Sequence, residues 1–323
     1  MAQLPDLAIN AQAITKIYKD GKPNSPAKKA LDTVDLQVPR GSLFGLLGPN
    51  GAGKSTLINI MADLVNKSSG SLSIWGYDND KRPRQSRAAI GIVPQELTFD
   101  PYFSPRQVLE LQAGMYGVPP KERRTMELLE TVGLADKADA YARSLSGGMK
   151  RRLMVAKAMV HTPPILVLDE PTAGVDVELR RMLWEHVKEL NNLGVTIVLT
   201  THYLEEAEEL CDRIAIINQG QIVACEDKPI LLNRIDSKKV VISLQKLPQT
   251  LPTALKAFSP EVIQPSASSS GLTQLAFSYR RSDSPISAIL SAVASAGLEI
   301  CDISTEESDL EDIFLQLTSN KAA

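Results

Sequence analysis

The chain has 323 residues, of which 43% are hydrophobic and 23% are charged, and its formal net charge is -3. This length exceeds what one hydrophobic core usually serves, and the composition excludes disorder as the main state. The slightly acidic balance argues against a nucleic-acid partner, because neutralising phosphates needs a dense basic surface. The three cysteines form no CxxC pair, which favours reduced thiols over disulfide or metal roles.

The N-terminal stretch MAQLPDLAIN lacks a basic start followed by an apolar run, so we expect no signal peptide. No apolar run approaches the roughly 18 residues that a membrane span needs. Any relation to a membrane would therefore depend on a partner protein.

Short β-branched runs alternate with helix-period segments along most of the chain, which predicts an α/β fold with a mostly parallel sheet. Early in the sequence, residues 21–27 read as an exposed turn between two strands. The run Leu43-Phe-Gly-Leu-Leu47 predicts a strand, and a helical run begins at Leu57. The segment between these two elements carries the first chemical motif.

That segment matches the pattern G-x-x-x-x-G-K-[ST] in the strand–loop–helix context that the phosphate-binding loop requires. Its residues are Gly48, Pro49, Asn50, Gly51, Ala52, Gly53, Lys54, Ser55 and Thr56. The glycines let backbone N–H groups wrap phosphates, Lys54 reaches the β and γ phosphates, and the Ser55 hydroxyl suits Mg²⁺. A glycine-rich turn with a purely structural role is the alternative, and the context disfavours it.

A strand at Ile90-Gly-Ile-Val93 precedes Gln95, and a helical insertion into the α/β core follows over about residues 98–160. Within the insertion, Met126, Leu129 and Val132 share one stripe, and Gly133 is a stop signal. The sequence Leu145-Ser-Gly-Gly-Met149 comes near its end. Taken alone, this sequence would suit a plain helix cap.

The run Ile165-Leu-Val-Leu-Asp-Glu170 predicts a second buried strand that ends in two carboxylates. Asp169 suits Mg²⁺ coordination, and Glu170 suits a general base that polarises an attacking water. A solvent-exposed acidic strand end is the structural alternative.

A helix is predicted next, with Asp176 as its N-cap and Gly194 as its stop. Its apolar face comprises Leu179, Met182, Leu183, Val187 and Leu190. The strand Val195-Thr-Ile-Val-Leu199 then leads to His202.

The character changes after about residue 234. Residues 265–271 read as a loop, residues 272–279 partly alternate as in a strand, and an amphipathic helix is predicted at the end. The last helix is set by Leu310, Ile313, Phe314 and Leu317. We therefore expect a domain over 1–235 and a small α+β domain over 236–323.

Taken in order, these motifs resemble the ATP-binding-cassette (ABC) family over about residues 7 to 230. The LSGGM sequence is similar to that family's signature, with Met149 where glutamine is typical. The resemblance implies a phosphate-loop ATPase core with a parallel sheet, an antiparallel β subdomain and a helical insertion, and ATP with Mg²⁺ as cofactors. It also implies that Ser146, Gly147 and Gly148 bind the γ-phosphate held by an opposite subunit.

The same resemblance assigns further roles. Gln95 is similar to the loop glutamine that contacts Mg²⁺ and water, and Ala173-Gly-Val-Asp176 resembles the loop that couples the two sites of the dimer. His202 looks like the switch histidine that contacts the γ-phosphate. Tyr18 matches the aromatic that stacks on adenine, whereas a solvent-facing strand tyrosine is the structural alternative.

The signature, the segment 201–213 and the C-terminal region are similar to ATPase subunits of bacterial drug, lipid and polysaccharide exporters. The resemblance thus implies a subunit that forms a dimer, with a homodimer as the expectation. It also implies that this dimer drives a separately encoded polytopic membrane permease from the cytoplasmic side of the cell membrane. Two alternatives stay open: an importer subunit, and a soluble ABC ATPase acting on ribosomes or DNA.

Overall fold

A computed structural model describes residues 4–19, 27–96, 100–172, 177–234, 237–245, 251–263, 273–280, 286–307 and 310–319. The chain forms two compact units, Met1–Lys228 and Pro229–Ala323. Three predicted features lie outside the described residues: the turn at 21–27, Asp176 with its loop, and the loop at 265–271.

The described part of the first unit contains two sheets. Its strands are β1 (Leu7–Tyr18), β2 (Lys28–Pro39), β3 (Leu43–Leu47), β4 (Ser69–Ile74), β5 (Tyr77–Asp78), β6 (Ile90–Val93), β7 (Ile165–Asp169), β8 (Thr196–Thr201), β9 (Arg213–Asn218) and β10 (Gln221–Asp227). Its α-helices are α1 (Lys54–Met61), α2 (Pro83–Ala88), α3 (Pro105–Met115), α4 (Thr125–Thr131), α5 (Gly147–Met159), α6 (Val177–Asn192) and α7 (Leu204–Leu210).

The larger sheet has the order β10-β9-β3-β8-β7-β6 and is parallel except for the β9–β10 hairpin. Strands β3 and β8 are buried along their whole length, as the continuous apolar runs of a covered parallel sheet require. The carboxyl ends of parallel strands meet at one edge, which brings together the residues that follow β3, β6, β7 and β8. The predicted α/β class and its strands are confirmed.

The smaller sheet of this unit, in the order β2-β1-β4-β5, is antiparallel. The apolar side chains of β1 and β2 share one buried cluster with those of β3 and α1, including Ile14, Leu36, Phe44 and Leu57. The two sheets of the unit are therefore joined by a common core, and the predicted antiparallel subdomain is confirmed.

Helices α3, α4 and α5 form the predicted helical insertion, which has its own apolar cluster. Leu129 and Val132 are buried in this cluster, Met126 packs against it, and Gly133 takes a positive φ of 63° after α4. A capping box at Ser104 and Gln107 starts α3. The stripe and the stop signal therefore act as predicted.

Burial along helix α6 differs from the prediction at one residue, Met182. Leu183, Val187 and Leu190 are buried as expected, but Met182 is 46% exposed, so its placement on the apolar face is wrong. At about 100° per residue, Met182 lies too far round the helix from this i, i+4, i+7 row.

The second unit is built on a four-stranded antiparallel sheet with the order β12-β13-β11-β14. Its elements are α8 (Lys228–Leu232), β11 (Ser237–Leu244), α9 (Thr253–Lys256), β12 (Glu261–Ile263), β13 (Thr273–Arg280), α10 (Ile286–Ser295), β14 (Ile300–Glu307) and α11 (Leu310–Ser319). The succession β11-α9-β12-β13-α10-β14 with this strand order is the split β-α-β motif. Its core includes Val240, Phe277 and Ile289.

Among the described residues, no helix has both the length and the apolarity needed to cross a membrane.

Candidate functional site

A cleft of about 800 Å³ opens at the carboxyl edge of the parallel sheet. The residues that line it are Tyr18, Lys28, Ala30, Pro49, Asn50, Gly51, Ala52, Gly53, Lys54, Ser55, Thr56, Gln95, Glu170 and His202. Six segments therefore meet here: the end of β1, the start of β2, the loop after β3, and the residues after β6, β7 and β8. Most of the residues predicted for the site line this one cleft.

The loop from Gly48 to Gly53 wraps the N-terminus of α1. Gly51 and Gly53 have φ of 80° and 116°, values that side chains rarely tolerate. A Cβ added at Gly48 would lie 2.4 Å from the backbone oxygen of Ile217, so the loop packs directly against β9. These conformations leave backbone N–H groups and the positive end of the α1 dipole directed at the cleft.

Lys54, the first residue of α1, is buried and donates from Nζ to the carbonyl oxygens of Gly48 (2.6 Å) and Pro49 (3.4 Å). Burial lowers the pKa of Lys54, while the nearby charges of Glu170 and Asp169 act in the opposite direction. The ammonium group of Lys54 and the backbone N–H groups of the loop together give this part of the cleft an affinity for anions.

Glu170 is the centre of the cleft. Its Oε2 accepts from Gln95 Nε2 at 3.0 Å and lies 3.2 Å from His202 Nδ1, while its Oε1 is 4.0 Å from Lys54 Nζ. Its carboxylate is nearly buried, and its backbone is in the left-handed region with φ of 47°. Two predicted catalytic side chains, Gln95 and His202, and the predicted phosphate-binding Lys54 thus converge on the carboxylate of Glu170.

The strained backbone of Glu170 is held from two sides. Its N–H donates to the carbonyl oxygen (3.0 Å) and to Oγ1 (3.1 Å) of Thr200, and its carbonyl accepts from Arg151 Nη2 at 3.1 Å. Strain of this kind persists when surrounding contacts over-determine it, and it is frequent at functional sites.

Asp169 ends β7 and accepts a hydrogen bond at Oδ1 from Thr200 Oγ1 at 2.5 Å. Burial raises the pKa of Asp169, and the Thr200 hydrogen bond opposes that shift. Asp169 is not among the cleft-lining residues, and it lies behind Glu170 at the end of the strand.

The signature residues do not line this cleft. Ser146 is the N-cap of α5, and its Oγ accepts from the N–H of Met149 at 3.3 Å. Gly147 begins the helix, and a Cβ placed on it would meet nothing within 4 Å. Ser146 and Gly147 are exposed at the N-terminus of α5, whereas Gly148 is buried. Asp176 lies outside the described residues.

Tyr18 lies at the end of β1, where its ring is 37% exposed and forms one wall of the cleft, with the Lys16 ammonium 4.8 Å from the ring centroid. Four residues at the site were not predicted from the sequence. Lys28 and Ala30 line the cleft from β2, and Thr200 and Arg151 hold Asp169 and Glu170. The strand and helix patterns carried no signal for these four residues.

The residues present suit a nucleotide with a magnesium ion. The exposed hydroxyl of Ser55 and the carboxylate of Asp169 are the oxygen donors that Mg²⁺ prefers. The glycine cradle supplies N–H donors, and Gly51 has no neighbouring atom where a Cβ would stand, so phosphate can approach its backbone. Lys54 supplies the positive charge.

The model of a protein family described as ABC transporter matches residues 31–173. The chain is 34% identical over 313 residues to a linearmycin resistance ATP-binding protein of Bacillus subtilis (strain 168), covering 96% of this chain and 98% of the relative. It is 38% identical over 293 residues to a Nod factor export ATP-binding protein I of Cupriavidus pinatubonensis, covering 90% and 86% respectively.

Solved structures are similar as well. An ATP-binding subunit of an ABC transporter matches with a TM-score of 0.61 and 28% identity, covering 70% of this chain and 92% of that one. An ATP-binding cassette solved as a dimer, in a post-hydrolysis state with ADP and Pi, matches with the same TM-score and identity, covering 68% and 98%.

Proposed function

The chain belongs to the ABC transporter family of ATP-binding proteins and hydrolyses ATP as that family does, and from this premise we propose that it is the ATPase subunit of an exporter. The observation that carries the proposal is the convergence of Lys54, Gln95 and His202 on the Glu170 carboxylate within one cleft. Its relatives are named for Nod factor export and for resistance to linearmycin, which supports the direction of transport.

Each side chain of the cleft takes one part in hydrolysis. Glu170 accepts the proton of the attacking water, and its strained, doubly held backbone fixes the carboxylate for that task. His202 and Gln95 orient the water and the γ-phosphate from the two sides of Oε2. Lys54 and the loop from Gly48 to Thr56 bind the phosphates, and Tyr18 stacks on the base.

Ser55, Gln95 and Asp169 are the residues that would hold Mg²⁺. The ion supplies charge neutralisation at the phosphates when it is bound. Thr200 keeps Asp169 in place with a hydrogen bond to one oxygen and leaves the other free to face a ligand.

A second subunit completes the site. The N-terminus of α5 presents Ser146, Gly147 and Gly148 as donors, yet these residues line no part of the cleft in their own chain. Two copies arranged head to tail would place each α5 N-terminus over the cleft of the other, with ATP between them. Asp176 takes part in the coupling of the two sites.

The membrane partner docks on the helical insertion. This part of the chain exposes large apolar side chains: Tyr102, Phe103, Leu111, Met115 and Tyr141. Leu111 and Met115 lie one turn apart on α3 and are 49% and 73% exposed. An apolar surface of this kind suits a protein interface, so a separately encoded polytopic permease would hold the chain on the cytoplasmic side of the membrane.

Residues 1–235 form the ATP-binding domain in this proposal, and residues 236–323 form a small appended α+β domain. The connectivity of the second unit supports an independent fold for it.

Glu170→Gln tests the function. It preserves the shape of the side chain but removes the base, so ATP binding should persist while turnover falls by about 10²- to 10⁴-fold. The matched control is Glu209→Gln. It alters the exposed ion pair between Glu209 on α7 and Lys188 on α6, and it should leave turnover unchanged. Near-normal turnover of Glu170→Gln would contradict the assignment of the base.

The same variant tests the partners. Tagged Glu170→Gln chain is purified with ATP from detergent-solubilised membranes, and a polytopic membrane protein is expected to co-purify in stoichiometric amount. Recovery of ribosomal proteins or DNA-bound factors with no membrane protein would overturn the transporter role and leave the ATPase chemistry intact.

A further inference from the structure

A second buried carboxylate lies behind the cleft and has no part in the chemistry described above. Glu206, on α7, is only 1% exposed. Its Oε2 accepts from Thr172 Oγ1 at 3.1 Å, and its Oε1 accepts from Trp184 Nε1 at 3.0 Å. Thr201 also hydrogen-bonds the carboxylate through its side chain.

These three donors come from segments that flank the catalytic residues. Thr172 is two residues after Glu170, and Trp184 belongs to α6, the helix that follows the coupling loop at 173–176. Thr201 directly precedes His202. One carboxylate is therefore bonded to both flanks of the coupling loop and to the segment that carries the switch histidine.

Burial of the Glu206 carboxylate costs desolvation free energy, which its hydrogen bonds must offset. Desolvation raises the pKa of Glu206, and the three hydrogen bonds and the charge of Arg180 oppose that shift. The Arg180 guanidinium itself lies over the Tyr203 ring, 5.0 Å from the ring centroid. Burial lowers the pKa of Arg151, and the negative charges of Asp169 and Glu206 oppose that shift. An apolar side chain would fill the same space without the cost of desolvation, but it could not bond three separate segments.

We propose that Glu206 is a positioning residue that holds the segment after Glu170 and the segment bearing His202 in one fixed arrangement. Since His202 Nδ1 and Glu170 Oε2 are 3.2 Å apart, a small relative shift of these segments changes that contact. This inference rests on the proposed catalytic roles of Glu170 and His202, and it adds a residue that acts through them.

Thr172→Val is the mildest test, because it removes one hydroxyl donor and keeps the branched shape. Glu206→Gln is the stronger test, since the amide turns one acceptor into a donor that faces Trp184 or Thr172. Misplacement of catalytic groups by about 1 Å costs up to about 100-fold in rate, so we expect kcat to fall by roughly 10- to 100-fold with the KM for ATP nearly unchanged. Glu209→Gln, on the same helix, is the control.

A purely structural role for Glu206 can be distinguished by testing Thr172→Val in a chain that already carries His202→Ala. Single-turnover hydrolysis is measured with the full-length chain in His202→Ala and in His202→Ala/Thr172→Val. If Glu206 and Thr172 act through His202, Thr172→Val should add less than about twofold once His202 is absent, because the effects of residues acting as a unit are not additive.

Two results would overturn the inference while leaving the proposed function in place. In the first, Thr172→Val and Glu206→Gln have the same kcat as the Glu209→Gln control, while Glu170→Gln abolishes turnover. The proposed function then stands and only the role of Glu206 is lost. The second is an equal loss in both His202 backgrounds, or a loss matched by a lower unfolding midpoint, which makes Glu206 a stability residue. If Glu170→Gln itself retains turnover, the proposed function and this inference fail together.

Discussion

Replacing Gly147 with alanine isolates the contribution of a second subunit to the site. Gly147 is the first residue of α5, its φ is not positive, and the added Cβ would meet no atom of its own chain within 4 Å. The substitution therefore removes nothing from the folded chain. A methyl group on this open surface would, however, stand between the α5 N–H groups and a phosphate brought by the partner.

The expected magnitudes follow from those facts. Alanine is a better helix former than glycine by up to about 1 kcal/mol, so Gly147→Ala should hold or raise Tm by no more than about 2–4 °C. Removal of one preorganised donor to developing charge costs about 2.7–4 kcal/mol, which corresponds to a 10²- to 10³-fold lower turnover. Binding of ATP to the monomer should not change.

The assay combines thermal unfolding, fluorescent-ATP binding, steady-state ATPase rates and size-exclusion chromatography with ATP. In the Glu170→Gln background, the ATP-dependent dimer should be lost when Gly147→Ala is added. Gly114→Ala, on α3 of the same helical insertion, is the control, since its Cβ would lie 3.5 Å from Arg123 Nη2. Turnover of Gly147→Ala within about twofold of wild type would refute the reasoning.

Three further outcomes are expected. Thr200→Val should raise the Mg²⁺ concentration needed for turnover by about tenfold or more, because a hydrogen bond to a charged group contributes about 1.5–3 kcal/mol. The acid limb of its pH–rate profile should also move to higher pH, since the lost hydrogen bond no longer opposes the raised pKa of Asp169. Gly91→Ala should lower stability by about 1–3 kcal/mol in urea unfolding, because its Cβ would lie 2.4 Å from a backbone oxygen of α5. A thiol reagent at pH 8, followed by mass spectrometry, should label exposed Cys301 in the native chain and Cys211 only after unfolding, since burial strongly raises the pKa of Cys211. Unchanged Mg²⁺ dependence, an unchanged urea midpoint, or native labelling of Cys211 would contradict the respective expectation.

The fold was predictable from sequence where short-range pattern and chain order carry the information. Four strands of the parallel sheet, β3, β6, β7 and β8, were predicted from short apolar runs that each lead into a motif residue, whereas β9 was not predicted. Parallel strands must send their carboxyl ends to one edge. That rule is enough to bring Pro49, Gln95, Glu170 and His202 to the same cleft, although they are separated by up to 153 positions in the numbering of the chain.

Contacts that depend on the three-dimensional arrangement could not be predicted from the sequence pattern. Lys28 and Ala30 reach the cleft because β2 runs beside β1, and a strand pattern does not say which of its residues will border a ligand. Met182 was placed on the wrong face because the periodicity of α6 fits more than one stripe of apolar residues, and only burial separates them. Glu206 looks like one acidic residue among four on α7 until its three donors are seen.

Arg151 is the most informative of the residues that the sequence concealed. It lies one turn into α5, and its guanidinium is buried with bonds to the carbonyl oxygens of Pro94 (2.8 Å), Gln95 (3.1 Å) and Glu170 (3.1 Å). The helix whose N-terminus would touch the partner's nucleotide is thus bonded to the backbone of Gln95 and Glu170 in its own cleft. Its neighbour Arg152 bonds instead to the carbonyls of Val132 and Gly133 within the helical insertion. Because a planar guanidinium bonds its carbonyls in fixed directions, a shift of α5 would either break these three hydrogen bonds or move the backbone of Gln95 and Glu170. The closure of one site in a dimer would therefore alter the geometry of the other through a contact already present in a single chain.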